Sequence, residues 1–168
     1  FKKRKDLLIY WKNDNFIKET ESILNEITKL NSNIKITIFA RSLFGNDKVK
    51  NLTKKFSAKL VLNANEKIVA NLYLSHEFLL YPNTYEDFGM PPLESLACGC
   101  IPIQRPNVGA ADMYSINNYN SIHINNNHKK LAKKILYLLN NKREILKLRN
   151  NAIKNLDKFS SINYGKKI

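Results

Sequence analysis

Short apolar runs alternate along this chain with longer stretches whose apolar residues recur every three or four positions. "DLLIYW" (6–11) has the length of a buried strand, and Phe16, Thr20, Ile23, Leu24, Ile27 and Leu30 then mark one helical stripe. "IKITIFA" (34–40) is β-branched and strand-like, and a short helix is expected over about 46–57. "KLVLNA" (59–64) follows as a third strand, then a helical face of Ile68, Val69, Leu72 and Tyr73. "FLLYP" (78–82), "CIPIQ" (100–104) and "SIHIN" (121–125) read as strands four to six. Leu131, Ile135, Leu138 and Leu139 line a penultimate helix, and Ile145, Leu148, Ala152, Leu156 and Phe159 the last, over 142–158.

Strands separated by helices of this length imply βαβ units. The expected fold is therefore α/β: a Rossmann-like three-layer sandwich around a mostly parallel six-stranded sheet. At 168 residues the chain suits one well-buried domain, with no internal repeat or low-complexity linker to divide it. A hydrophobic content of 43% argues against disorder, and no apolar run approaches the ~20 residues of a membrane-spanning helix. No signal peptide is visible, and a start at Phe1 rather than Met suggests a piece of something longer.

Cysteine usage points to a reducing compartment. Cys98 and Cys100 are the only two, and side chains two apart diverge, so no disulfide framework is expected. His76, His123 and His128 are scattered and no C-x-x-C occurs, so no metal site is expected. A cytoplasmic location follows. The formal net charge is +14, and ten Lys and Arg between Lys129 and Lys158 face only Glu144 and Asp157. That basic region suits an anionic membrane surface, a phosphorylated ligand, nucleic acid, or simply solvent. A peripheral place at the inner face of the membrane stays open. Only Tyr137 supplies an aromatic in the window, which disfavours nucleic acid.

In open α/β sheets, ligands bind beyond the carboxyl ends of the strands. Those ends deliver Lys12, then Arg41 and Ser42, then Asn63 to Asn65, then Asn83 to Glu86, then Gln104 and Arg105. Within "YEDFGMPPLESLACGC" (85–100), Pro91 and Pro92 suit a helix start, whose free amides and positive dipole end attract an anion. Gly89 lets backbone approach a ligand closely. Glu86 follows strand four, and Glu94 is expected in the first helical turn. Each carboxylate can accept two hydroxyls of a vicinal diol. Singly, each has an ordinary explanation as a cap, a turn or a solvated loop residue. Together they describe a nucleotide-sugar pocket, with hydroxyls at each end and a diphosphate between.

"EDFGMPPLE", with two Glu separated by seven residues, then "SLACGCIPI" and "VGAAD", resembles the donor-binding half of retaining GT-B glycosyltransferases, above all glycosyltransferase family 4. That pattern reads approximately E-G-F-G-L-P-x-x-E-A-M-A-C-G-x-P-V. The resemblance implies the C-terminal half of a GT-B fold, with an N-terminal acceptor domain outside this chain. It implies a donor domain for retaining transfer from a nucleotide diphosphate sugar to an acceptor hydroxyl, inactive alone and without cofactor or metal.

By the same resemblance, Glu86 contacts donor-sugar hydroxyls near the reacting carbon. Amides of Phe88, Gly89, Met90 and Leu93 hold sugar and phosphate oxygens, and Glu94 holds the ribose. Lys12 and Lys18, or alternatively Arg41, meet the diphosphate, and Asn63 lies where the base is usually recognised. Asp87 replaces the family's usual Gly, and "FARSLFG" stands where a Gly-rich turn is common. A GT-B relative with other chemistry, such as an epimerase or phosphorylase, and a basic nucleic-acid-binding module are the competing readings.

Overall fold

The computed structural model describes residues 4–12, 14–41 and 46–156. Its elements run β1 (Lys5–Tyr10), α1 (Ile17–Leu30), β2 (Ile36–Phe39), α2 (Asn46–Lys55), β3 (Lys59–Val61), α3 (Glu66–Ser75) and β4 (His76–Tyr81). They continue α4 (Met90–Ala97), β5 (Ile101–Gln104), α5 (Ala111–Tyr114), β6 (Ile122–His123), α6 (His128–Leu139) and α7 (Lys142–Leu156). A 3₁₀ turn, Asp14–Phe16, leads into α1.

Every paired strand is parallel, and the sheet order is β3-β2-β1-β4-β5-β6. The order reverses between β1 and β4, where Leu8 pairs with Leu79. Central strands buried on both faces need continuous apolar sequence, which "LLI" and "FLLY" provide. Leu7, Ile9, Phe78 and Leu80 pack with Ile23, Leu24 and Ile27 of α1 and with Leu131 and Ile135 of α6. Leu8, Leu79 and Tyr81 face the other way, towards Val69 and Tyr73 of α3. The three-layer expectation holds.

Local differences have local causes. Helix α2 stops at Lys55, and Ser57 takes a left-handed φ of 48°. Strand β3 ends at Val61 and β6 spans only Ile122–His123. The four-residue α5 is too short to show an apolar stripe. Residues 42–45 of "FARSLFG" and Phe159 of the last stripe lie outside the described residues.

His76 is a core residue. Its Nε2 lies 2.9 Å from Thr37 Oγ1 and its Nδ1 2.7 Å from the Leu72 carbonyl. It is fully buried, and desolvation pushes its pKa down to about 4. Cys98 and Cys100 are free thiols, the second buried. No helix among the described residues is long and apolar enough to cross a membrane.

Candidate nucleotide-sugar site

The strands on either side of the order reversal end in aromatics. Tyr10 of β1 and Tyr81 of β4 stack with centroids 6.0 Å apart and planes within 5°, and Phe39 of β2 stacks on Tyr10 at 4.9 Å. Tyr10 and Tyr81 line a cleft of about 340 Å³ at the point where helices diverge to opposite sides of the sheet. Lys12, Arg41, Glu86 to Pro91 and Glu94 form the rest of its wall.

Glu86 is the most connected group there. One carboxylate oxygen, Oε1, accepts from Lys12 Nζ at 2.7 Å, from Asn83 Nδ2 at 2.9 Å and from the Tyr81 hydroxyl. Burial alone pushes the Glu86 carboxyl up. The hydrogen bonds from Lys12, Tyr81 and Asn83 outweigh that and hold it below the usual carboxylate range. Glu86 is therefore an anion at neutral pH. None of the three bonds uses Oε2, which leaves that oxygen able to accept a ligand hydroxyl.

The loop after Glu86 is shaped by glycines and a buried tyrosine. Gly89 precedes α4 with φ +83°, and a Cβ there would lie 2.9 Å from the Tyr114 hydroxyl. That hydroxyl donates to the Gly89 carbonyl at 2.9 Å. Gly109 of "VGAAD" packs so closely that a Cβ would stand 2.9 Å from the Phe88 carbonyl carbon and 3.0 Å from the Glu86 carbonyl oxygen. Ala110 N–H then donates to the Phe88 carbonyl at 3.1 Å.

Because Gly89 turns the chain early, α4 opens at Met90, one residue before the expected Pro91. Glu94 consequently sits in the second turn, not the first. Pro91 and Pro92 have no N–H, so the amides left unpaired by regular helical bonding at this end are those of Gly89 and Met90. Leu93 is the first residue whose N–H returns to the helical ladder, and its side chain packs beside Leu96 and Tyr114. The phenyl ring of Phe88 tilts against Tyr114 at 6.3 Å.

Glu94 Oε2 lies 3.5 Å from Arg41 Nη2 and accepts from the Tyr73 hydroxyl at 3.4 Å. Arg41 and Glu94 thus add a second ion pair to the wall of the cleft, besides that of Lys12 and Glu86. Lys18 is exposed in the first turn of α1 and is not part of the cleft wall. Asn63, exposed with φ +52°, follows β3, where Ala64 N–H donates to the Ala40 carbonyl at 3.1 Å, beside Arg41. The Asn65 side chain caps α3 by accepting from Ile68 N–H at 2.9 Å.

Sequence reasoning missed Tyr10, Tyr81, Tyr114 and Gly109 as shaping residues. Tyr81 reads as one more apolar residue of the run "FLLYP", and only the strand order places it beside Tyr10. His76 and His123 stand outside the cleft wall; His123 Nε2 lies 3.0 Å from Ser115 Oγ. Among the described residues no cluster of three or more His, Cys, Asp or Glu is arranged to hold a metal ion.

An all-parallel, doubly wound sheet with a helix start and two carboxylates gathered at its order reversal defines an α/β domain of the GT-B type. The chain belongs to the family described as glycosyl transferases group 1, whose sequence pattern matches residues 2–159. None of the curated proteins matches it. Among solved structures it is similar to TarM, at a TM-score of 0.80 and 17% identity over 98% of this chain and 34% of that one. Anabaena Alr3699/HepE in complex with UDP and glucose gives 0.74 and 15%, covering 96% of this chain and 47% of that one. The C-terminal domain of the group 1 family protein LpcC from Francisella tularensis gives 0.70 and 16%, covering 93% and 86%. These likenesses establish the fold, that of a GT-B C-terminal domain. The chain spans about a third of TarM and just under half of HepE.

Proposed function

We propose that this chain binds a nucleotide diphosphate sugar in the cleft at the β1–β4 reversal and supplies the donor half of a retaining glycosyl transfer to an acceptor hydroxyl. The observation that carries this reading is that one cleft is lined by two carboxylate–cation pairs, Glu86 with Lys12 and Glu94 with Arg41. A diphosphate in that cleft meets both cations and the Gly89 and Met90 amides, while sugar and ribose hydroxyls meet Glu86 and Glu94. A uracil base is the first to test, since the HepE structure holds UDP and glucose.

When the glycosyl–oxygen bond breaks, negative charge grows on the departing diphosphate. Fixed cations and the α4 amides stabilise that charge without reorganising. In this reading Glu86 orients the sugar through its hydroxyls and no metal is required. The acceptor is held by a second domain outside this chain, so the chain alone binds donor without transferring sugar. A role in building surface polysaccharide or glycoconjugates fits such chemistry.

Calorimetric titration of UDP-, GDP- and ADP-sugars into the protein tests the reading. Selective binding of one nucleotide sugar, lost in Glu94→Ala, is expected. Binding of none of them, or robust sugar transfer by the chain alone, overturns the corresponding part.

A further inference from the structure

Helices α6 and α7 bury one side each and leave a chemically distinct side outward. Helix α6 turns Leu131, Ala132, Ile135 and Leu138 inward, and α7 turns Ile145, Leu148, Ala152 and Asn155 inward. What remains on α7 is Arg143, Leu146, Lys147, Asn150, Ile153 and Lys154, all exposed and spaced by three, four and seven residues along one face. Leu146 is 49% and Ile153 57% exposed, two large aliphatic side chains framed by cations. Helix α6 repeats the combination with Lys130, Lys133 and Tyr137, the last 58% exposed.

Arg149 pairs with Glu77, but little else of the charge on these helices is compensated. Helix α6 carries no acid, and α7 carries only Glu144. Among the described residues none of Lys129, Lys130, Lys133, Lys142, Arg143, Lys147 or Lys154 forms an ion pair. The cations also stand at the wrong ends. Lys129 and Lys130 occupy the first turn of α6, and Lys142 and Arg143 that of α7, where the helix dipole disfavours positive charge. An anionic partner relieves that repulsion; solvent relieves less of it.

We infer that the outer face of α7, extended by Lys130, Lys133 and Tyr137 of α6, docks on an anionic phospholipid membrane. Cations interleaved with exposed aliphatic residues match the boundary between headgroups and acyl chains. A nucleic acid fits less well. Its backbone would meet Leu146 and Ile153, which gain nothing from phosphate, and Tyr137 is the one stacking ring available on these two helices. The inference is independent of the donor-site reading and uses none of its residues.

Co-sedimentation with vesicles of phosphatidylcholine containing a third phosphatidylglycerol, against pure phosphatidylcholine, tests it. Binding to the anionic vesicles alone is expected, weakening about fivefold for each of Arg143, Lys147 and Lys154 changed to Ala. Leu146→Ser with Ile153→Ser should weaken it further at a salt concentration that screens charge. Circular dichroism melts confirm that these surface variants fold. Equal binding to both vesicles, or none, overturns the inference. So does an equal loss from changing Lys48, Lys50 and Lys54 of α2, which would show that overall charge suffices. Oligonucleotide binding indifferent to Leu146→Ser and Ile153→Ser, without vesicle binding, overturns it in favour of nucleic acid.

Discussion

Lys12 Nζ and Glu86 Oε1 meet at 2.7 Å from the segments that follow β1 and β4, neighbours in the sheet, yet the two residues lie 74 apart in sequence. In the proposed reading this cation meets a diphosphate and this carboxylate meets hydroxyls. Removing either charge must therefore alter the other.

Lys12→Met should raise the Glu86 pKa, because the ammonium is among the groups that outweigh burial. Carbon-detected NMR titration of the Glu86 carboxyl reads this directly, and an unchanged midpoint contradicts it. With its folded pKa below the unfolded value of about 4.3, Glu86 contributes stability that is present above that pH. The contribution is lost as pH falls through the folded value, and it shrinks in the variant. Nucleotide-sugar affinity should fall about tenfold to a hundredfold, the usual range for a hydrogen bond to a charged group.

Glu94→Ala separates the two ends of the ligand. Binding of UDP should weaken about tenfold or more, whereas pyrophosphate, which has no ribose, should bind as well or better once Arg41 is released from its partner. Calorimetry with both ligands decides. Equal losses for the two would move Glu94 from the ribose to the fold.

Gly109→Ala should both destabilise the protein and loosen the donor loop. The residue has φ +59°, and its new methyl would press on the backbone of Glu86 and Phe88, which cannot swing aside as a side chain can. A loss of about 1–3 kcal/mol in urea unfolding is expected, with weaker UDP binding. Gly99→Ala is the control. It also has a positive φ, but its nearest neighbours, 3.4–3.8 Å away, are the flexible side chains of Arg4 and Arg149, so UDP binding should be unchanged.

His76 sets an acid limit on stability. Its folded pKa of about 4 lies below the unfolded value of about 6.5, so the neutral ring is favoured in the fold. That stability is fully present above pH ~6.5 and is lost as pH falls towards the folded value, a change on the order of 3 kcal/mol. Urea midpoints measured across this range should slope less in His76→Gln than in the wild type. An identical slope would assign the acid sensitivity elsewhere.

The fold was legible because its signals are local. Paired β-branched runs and helical stripes need no knowledge of distant residues, and central strands such as "FLLY" declare their burial on both faces. The short α5 has too few residues for a stripe, and the early start of α4 depends on a left-handed Gly89 held by Tyr114, 25 residues away. Glu86, Gly89 and Glu94 stood out by their spacing. Tyr10 and Tyr81 did not, because their contact exists only once the strand order is set. Lys12 and Lys18 were indistinguishable as cations until the structure put Lys12 in the cleft wall and left Lys18 outside it on α1.

The order reversal between β1 and β4 has a thermodynamic consequence. Because each ion pair of the cleft, Lys12 with Glu86 and Arg41 with Glu94, joins a residue before α3 to one after it, a ligand held there bridges both halves of the chain. A bound nucleotide is thus a clasp across the seam, and its affinity should appear as added resistance of the whole domain to melting, growing with the logarithm of ligand concentration.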